Sequence, residues 1–489
     1  MADRINRRSF LKFAGLCSAF LLQTDAADLF AGNYKVAADD NHSTDKDKKP
    51  PNVLFLFTDD QRQDTVSAIG NTHIKTPNLD KLVQSGTVLL NAYCMGGNCG
   101  AVCLPSRMMT LKGGSWFHVR HLSKDTPSLP QPLNDAGYVT YHHGKWSNTP
   151  RDVHTQFDYS HYLKDNTVRK SGHPGRIAAD DAVKFLKNWK AKPSSKADPD
   201  NPFFMYLAFA TPHDPRVAPP EYLAKYDVND IPLPENFLPL HPFNNGEMAI
   251  RDEQLAAWPR TKHEIKKHLR DYYAVITYLD EQIGRIIKTL KEIEEYDNTI
   301  IVFSSDQGLA LGSHGLMGKQ NLYEHTVKVP LIFSGPGIPA GKTVDAFAYL
   351  FDVYPTICEL ANLNVPESLQ GKSLAPVIRG QSETVRDSIF LFYKKIQRAV
   401  RRENWKLIRY PQINRTQLFN LKDDPYETRD LSGDPLYADR IKRLLKLLKK
   451  QQNIFGDTCE LVSRQPKSEE VTLQMLKKMA GEKYKAPNY

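Results

Sequence analysis

The chain has 489 residues, 40 % apolar and 25 % charged, with a formal net charge of +9. This length and composition exclude a disordered chain and a minimal disulfide scaffold, and leave room for one large domain with a smaller companion. The basic balance favours anionic partners, but no clustered nucleic-acid-binding motif is present, so an anionic substrate is expected and a nucleic acid is not.

At the N-terminus, Asn6-Arg7-Arg8-Ser9-Phe10-Leu11-Lys12 precedes an apolar stretch over residues 13–22. The stretch is too short to span a bilayer, so no stable transmembrane anchor is expected, and its basic front reads as an export signal. It resembles the bacterial twin-arginine signal, with Asn6 where Ser or Thr is commoner. Leu16 before Cys17 does not fit a lipoprotein. Residues 1–38 are read as the signal and cleavage region, cut near Ala26-Ala27 or Ala37-Ala38, and the polar residues 39–51 as a linker. The mature protein is therefore expected in the periplasm or secreted.

Residues 52–58 (NVLFLFT) are apolar on both faces and bounded by Pro51 and Asp59-Asp60, which predicts a buried strand of a parallel sheet. The pattern returns at 201–210, before Thr211-Pro212-His213, and at 298–305, before Asp306-Gln307-Gly308. A fourth run covers 329–334. In an open α/β sheet the strand C-termini gather functional groups, so these polar ends are expected to converge. Helical stripes over 180–189 and 263–293 feed the strands at Phe203 and Ile300. The alternation predicts a doubly wound α/β domain over 52–375, its sheet mixed but mostly parallel and flanked by helices. After Gly371 the texture changes. Short strands are read at 388–393, 399–400, 405–410 and 417–421, and a basic amphipathic helix at 437–451. Residues 376–489 are thus expected to form a small α+β subdomain with an antiparallel sheet, its helix docked by leucines.

Six cysteines in so long a chain make no disulfide scaffold, and Cys94-x4-Cys99-x3-Cys103 fits no common zinc spacing. Cys103-Leu104-Pro105-Ser106-Arg107 is the informative segment. It has the Cys-x-Pro-x-Arg form, about forty residues after Asp59-Asp60. With it come Thr76-Pro77-Asn78-Leu79-Asp80, Gly144-Lys145-Trp146, Thr211-Pro212-His213, Ser305-Asp306 and Gly315 to Lys319 followed by Tyr323-Glu324. Pro355-Thr356, Gly371-Lys372-Ser373, Lys406-Leu407-Ile408 and Leu418-Phe419-Asn420-Leu421 continue the ordered set. On these residues almost the whole mature chain resembles the type I formylglycine-dependent sulfatases of the alkaline phosphatase superfamily.

The resemblance implies a fold like that of alkaline phosphatases and sulfatases, and hydrolysis of sulfate esters on a sulfated poly- or oligosaccharide. It also implies a formylglycine-generating maturase that oxidises Cys103. One Ca2+ per chain would be held by Asp59, Asp60, Asp306, Gln307 and the modified Cys103. Gln307 stands where Asn or His is commoner and presents its amide oxygen one methylene further out. A hard cation suits this chemistry, because sulfur is a poor electrophile until its anionic oxygens are neutralised. One hydroxyl of the hydrated aldehyde, relieved of its proton by Asp306, would attack sulfur. Arg107 and Lys145 would stabilise the diol, while Lys319 and His213 hold the sulfate and leaving oxygen. His213 or Lys319 would protonate the departing alcohol. The second hydroxyl would then collapse to the aldehyde and expel sulfate.

Ser147 departs from the family, which reads Gly-Lys-x-His at this point. A serine cannot be the base that drives collapse, so His142, His143 or His314 substitutes, water suffices, or turnover is slow. His142, Arg216 and His314 are candidate substrate contacts, with Trp116, His118, His121, Lys170 and Arg176 as further candidates for sugar or acid groups. Two alternatives stay open: a phosphonate or phosphodiester hydrolase of the same superfamily, and a catalytically impaired sulfoglycan-binding protein.

Overall fold

The computed structural model describes residues 49–146, 149–163, 173–191 and 201–481. The expected signal over 1–38, most of the 39–51 linker, Ser147 and Lys170 lie outside the described residues.

The strands, in chain order, are β1 Asn52–Asp59, β2 Gly86–Tyr93, β3 Gly96–Gly97, β4 Val139–Lys145, β5 Tyr159–Leu163, β6 Phe203–Pro212 and β7 Thr299–Ser305. They continue as β8 Leu331–Ser334, β9 Lys342–Tyr349, β10 Ser388–Tyr393, β11 Gln397–Arg402, β12 Trp405–Tyr410 and β13 Arg415–Asn420. Eight of them form one sheet in the order β5-β4-β6-β1-β7-β8-β2-β9. The first five are parallel, β8 runs antiparallel to β7 and β2, and β2 pairs with β9 in parallel.

The apolar runs sit side by side, with Val53 opposite both Phe204 and Ile300. Successive side chains along a strand point to opposite faces, so each run feeds two cores. Phe55, Phe57, Tyr206 and Val302 enter one core together with Met109 and Leu111 of the Cys103–Lys112 helix. Leu54, Leu56, Met205 and Phe303 enter the other, beneath the helices Pro174–Ala191 and Lys262–Glu292. The longer of these helices begins at an N-cap, Thr261, whose hydroxyl accepts from Glu264 N–H at 3.2 Å. Its Leu279, Ile283, Ile286 and Leu290 are all buried against the sheet.

The fourth apolar run departs from expectation. It begins at Leu331, after Pro330, which has no N–H for a ladder, and it runs antiparallel. Burial on both faces makes a strand apolar without encoding its direction.

A second sheet has the order β13-β12-β11-β10-β3. Strands β10 to β13 are antiparallel, and β3 joins β10 in parallel. The segment ahead of Cys103 is thereby woven into this sheet. Gly96 makes that possible: it adopts φ +100°, and a Cβ there would meet the Phe392 carbonyl oxygen at 2.0 Å. The helix Ala438–Phe455 buries Leu444 and Leu448, and a fully buried leucine contributes roughly 1.5–3 kcal/mol. No described helix is long and apolar enough to cross a membrane.

Candidate active site

The ends of β1, β4, β6 and β7 deliver Asp59, Lys145, His213 and Asp306 to one edge of the sheet, because these strands are parallel and adjacent. The Cys103–Lys112 helix starts at the same edge with Cys103 as its first residue. Pro105 is tolerated there because first-turn N–H groups have no partner within the helix. Arg107 follows one turn on, and the Ser106 hydroxyl donates to the Asp306 carbonyl at 2.7 Å.

Asp59, Asp60 and Asp306 are at most 2 % exposed. One oxygen from each and the Cys103 sulfur all lie within 4.8 Å of one another. Asp60 has φ +68°, a left-handed backbone that costs roughly 1–2 kcal/mol in a residue with a Cβ. Its N–H donates to Asp306 Oδ1 at 3.0 Å and its C=O accepts from the Tyr272 hydroxyl at 2.6 Å, which hold the turn. Arg107 Nε donates to Asp306 Oδ2 at 2.9 Å, and its Nη2 donates to the Thr58 and Phe209 carbonyls and lies 3.9 Å from Asp59 Oδ2.

Lys319 Nζ lies 2.8 Å from both Asp60 oxygens and 3.1 Å from Cys103 Sγ. Gln307 Nε2 donates to Asp60 Oδ1 at 3.0 Å and to Cys103 Sγ at 3.2 Å. Rotating this amide by a half-turn presents its oxygen to the same point. Lys145 Nζ is 3.8 Å from Asp59 Oδ2. His213 Nε2 is 3.7 Å from Asp60 Oδ2, while Nδ1 donates to the Asp214 carbonyl at 2.7 Å. That bond leaves Nε2 as the nitrogen facing the acids.

Burial and the charges of Asp59 and Asp60 push Asp306 up to about 7, against the pull of Arg107. Burial also acts on Asp59, but His213, Lys145, Arg107 and Lys319 outweigh it and hold that carboxyl below the usual range. For Lys319, burial is outweighed by Asp60 and its neighbours, so the ammonium stays charged. Burial and then Asp59 raise the Cys103 thiol well above its ordinary value, making the unmodified side chain a poor nucleophile. Three buried carboxylates and an amide suit a hard, oxygen-seeking divalent cation.

A cleft of about 430 Å³ opens on Cys103, Lys145, His213 and Lys319. Arg251, Asp252 and Gln320 also line it, and sequence reasoning missed all three. Gln320 Nε2 donates to Asp252 Oδ2 at 2.7 Å, and its Oε1 accepts from Lys319 N–H at 3.0 Å. Arg251 pairs with both Asp214 and Asp252. These contacts join segments far apart in the chain, and no motif or periodicity announces them.

The expected substrate contacts His142 and His314 both lie among aromatic rings. His142 is fully buried among His154, Phe157, Tyr162 and Tyr206, with Thr149 Oγ1 at 3.3 Å, and burial drives its basicity far down. His314 stacks on Tyr323 at 3.9 Å between ring centroids, with Asn236 Nδ2 at 3.1 Å from its Nε2. Neither ring reaches the cleft. His143 is buried beside Asp181, at 3.7 Å. Arg216 lies over the Tyr272 ring at 5.7 Å and does not line the cleft. Trp116 and Arg176 line other cavities, His118 contacts the Ser368 carbonyl, and His121 contacts Arg120.

Residues 51–363 match the Sulfatase family model, and residues 312–454 match the C-terminal model of N-sulphoglucosamine sulphohydrolase. An N-acetylglucosamine-6-O-sulfatase of Bacteroides thetaiotaomicron is 27 % identical, over 84 % of this chain and 88 % of that protein. A solved structure in complex with its substrate D-glucosamine-2-N,6-O-disulfate superposes with a TM-score of 0.70 at 25 % identity, over 84 % of this chain and 99 % of that one. A phosphonate monoester hydrolase from Silicibacter pomeroyi shares the fold, with a TM-score of 0.65 at 22 % identity, over 84 % of this chain and 96 % of that one. The chain belongs to the sulfatase family, and it is an enzyme for the hydrolysis of sulfate esters.

Proposed function

We propose that this sulfatase acts on sulfated carbohydrate through a formylglycine made from Cys103 and one calcium ion. The observation that carries the reading is the meeting of Cys103 with three buried carboxylates and Lys319 at the floor of one cleft. The named substrate classes of the relatives, glucosamine sulfates among them, support the carbohydrate.

Hydrated formylglycine at position 103 would supply two hydroxyls, one to attack sulfur and one whose loss of a proton would expel sulfate. Asp59, Asp60, Asp306 and Gln307 would hold the calcium, which would supply charge neutralisation at the sulfate oxygens. Arg107 keeps Asp306 in place from behind and does not itself line the cleft. Lys145 and Lys319 offer cations to the sulfate, and the burial of Lys319 strengthens its attraction. His213 Nε2 donates the proton to the leaving oxygen. Among the described residues lining the cleft His213 is the one histidine, so it also takes up the proton at collapse.

The twin-arginine-like residues 6–12 support export of a folded, already oxidised protein, with the maturase acting before export. We assign residues 52–375 to catalysis and 376–489 to a supporting subdomain.

Release of inorganic sulfate from an aryl sulfate and from sulfated oligosaccharides tests the proposal. Sulfate from both is expected. Hydrolysis of a phosphonate monoester or phosphodiester supplied in parallel, with no sulfate released from the sulfate esters, would select the phosphonate hydrolase reading, and binding without release would select an impaired binder.

A further inference from the structure

A second cleft, of about 860 Å³, lies where the Trp116–Val119 helix, the turn between β10 and β11, and the segment 456–467 meet. It is twice the size of the catalytic cleft and contains none of the groups assigned to catalysis. Its apolar surface comes from Trp116, Phe117, Phe392 and Ile396.

Five cations line it against two carboxylates, Asp457 and Glu460. Arg398 is buried and holds Asp457 through two bonds of 2.6 and 2.9 Å, so that pair is neutral within itself. Lys394 is paired with Glu247. Arg120, Lys395 and Lys467 remain against the one exposed carboxylate of Glu460: all three are exposed and form no ion pair with the described residues. Arg120 lies over the Phe117 ring at 5.7 Å, which sets a flat guanidinium beside an aromatic face. Aromatic faces next to unpaired cations suit a ligand with apolar ring faces and peripheral anions, which is the chemistry of an acidic sugar chain.

The position of the cleft adds a second reason. Asn98 lines it, while Gly100 and Ala101 line the catalytic cleft. Two residues of chain reach at most about 7 Å, so the two clefts flank one short loop.

We propose that the second cleft binds a stretch of anionic oligosaccharide, sulfated or carboxylated, and so holds a polymeric substrate beside the catalytic cleft. The inference rests on the carbohydrate reading above and adds a site that performs no chemistry. Tethering raises the local concentration of neighbouring sulfate groups, so its loss raises KM for polymer and leaves kcat unchanged.

The test uses the full chain carrying Lys395→Glu and Lys467→Glu, with Lys395→Ala and Lys467→Ala as the milder pair should charge reversal impair folding. Binding is measured in a Cys103→Ala background, where no turnover occurs, with octasaccharides of heparin, polygalacturonate and dextran. The substitutions are expected to weaken heparin or polygalacturonate binding about tenfold or more, through lost charge complementarity. The arm that weakens identifies sulfate or carboxylate as the recognised group. With the aldehyde-bearing enzyme, kcat/KM on a small aryl sulfate is expected to stay within about twofold. Unchanged binding of both acidic octasaccharides, or equal binding of dextran, would overturn the proposal, as would an equal loss on the aryl sulfate. If binding behaves as expected but no polymer releases sulfate, the substrate reading fails while the binding site stands.

Discussion

Arg107 Nε donates to Asp306 Oδ2 at 2.9 Å, with both side chains wholly buried. The arginine of the cysteine motif therefore clamps the helix beginning at Cys103 to the end of β7, and its guanidinium faces carboxylate and carbonyl oxygens behind the cleft. Removing one partner strands a buried charge. Arg107→Ala is expected to cost about 3–5 kcal/mol in urea unfolding and to abolish sulfate release. Arg107→Lys keeps the charge without the planar fork, and should recover part of the stability with activity still down at least tenfold or so. Equal stability of Arg107→Ala and wild type would show that the clamp is unimportant.

Calcium should stabilise the fold through the same cluster. Asp59, Asp60 and Asp306 come from the ends of β1 and β7, and a cation among them ties two strand ends to the motif helix. A ligand at one hundred times its Kd adds about 2.7 kcal/mol. Chelation is expected to lower the melting temperature and stop sulfate release, with recovery on calcium addition. A melting curve indifferent to chelator and calcium would contradict the assigned cation site.

Much of this site is legible in the sequence because buried parallel strands leave a mark. Strands β1, β6 and β7 are apolar on both faces and stop at polar residues, so their pattern alone puts Asp59, His213 and Asp306 at one sheet edge. Strand β4 leaves no such mark: His142, His143 and Gly144 make it look polar, although its neighbours bury nearly all of it. Burial likewise explains why His142 and His314 do not line the cleft. A histidine's sequence neighbours do not tell whether aromatic rings will enclose it. Arg251, Asp252 and Gln320 depend on tertiary contacts across 37 and 68 residues, which leave no local pattern.

Ser147 offers a direct test of proton uptake. With His142 and His314 enclosed, His213 is assigned both transfers. Ser147→His should add a dedicated base and raise kcat on an aryl sulfate by about tenfold or more. An unchanged kcat would show that collapse of the adduct does not limit turnover or is already served by another group.

Glu427 gives a pH signature away from the cleft. Burial and the neighbouring Glu324 push it up to about 7 despite Lys406, whose Nζ lies 2.8 Å from Glu427 Oε1 and 2.9 Å from Glu324 Oε1. The folded protein therefore binds this proton more tightly than the unfolded chain does. The associated stability is fully present below about pH 4.5 and is lost as pH rises through about 7. Between pH 5 and 8 this group is expected to remove roughly 2–3 kcal/mol. Glu427→Gln should flatten that part of the stability profile, measured by urea unfolding across the range. A variant with the same pH slope as wild type would place the titration elsewhere.

The chemical identity of residue 103 decides the mechanism. Peptide mass spectrometry across 95–110 measures conversion of Cys103 to the aldehyde, which is about 18 Da lighter than cysteine. Preparations made with graded maturase should release sulfate in proportion to the converted fraction, and Cys103→Ala should release none. Full sulfate release from protein whose Cys103 is entirely unconverted would contradict the aldehyde mechanism.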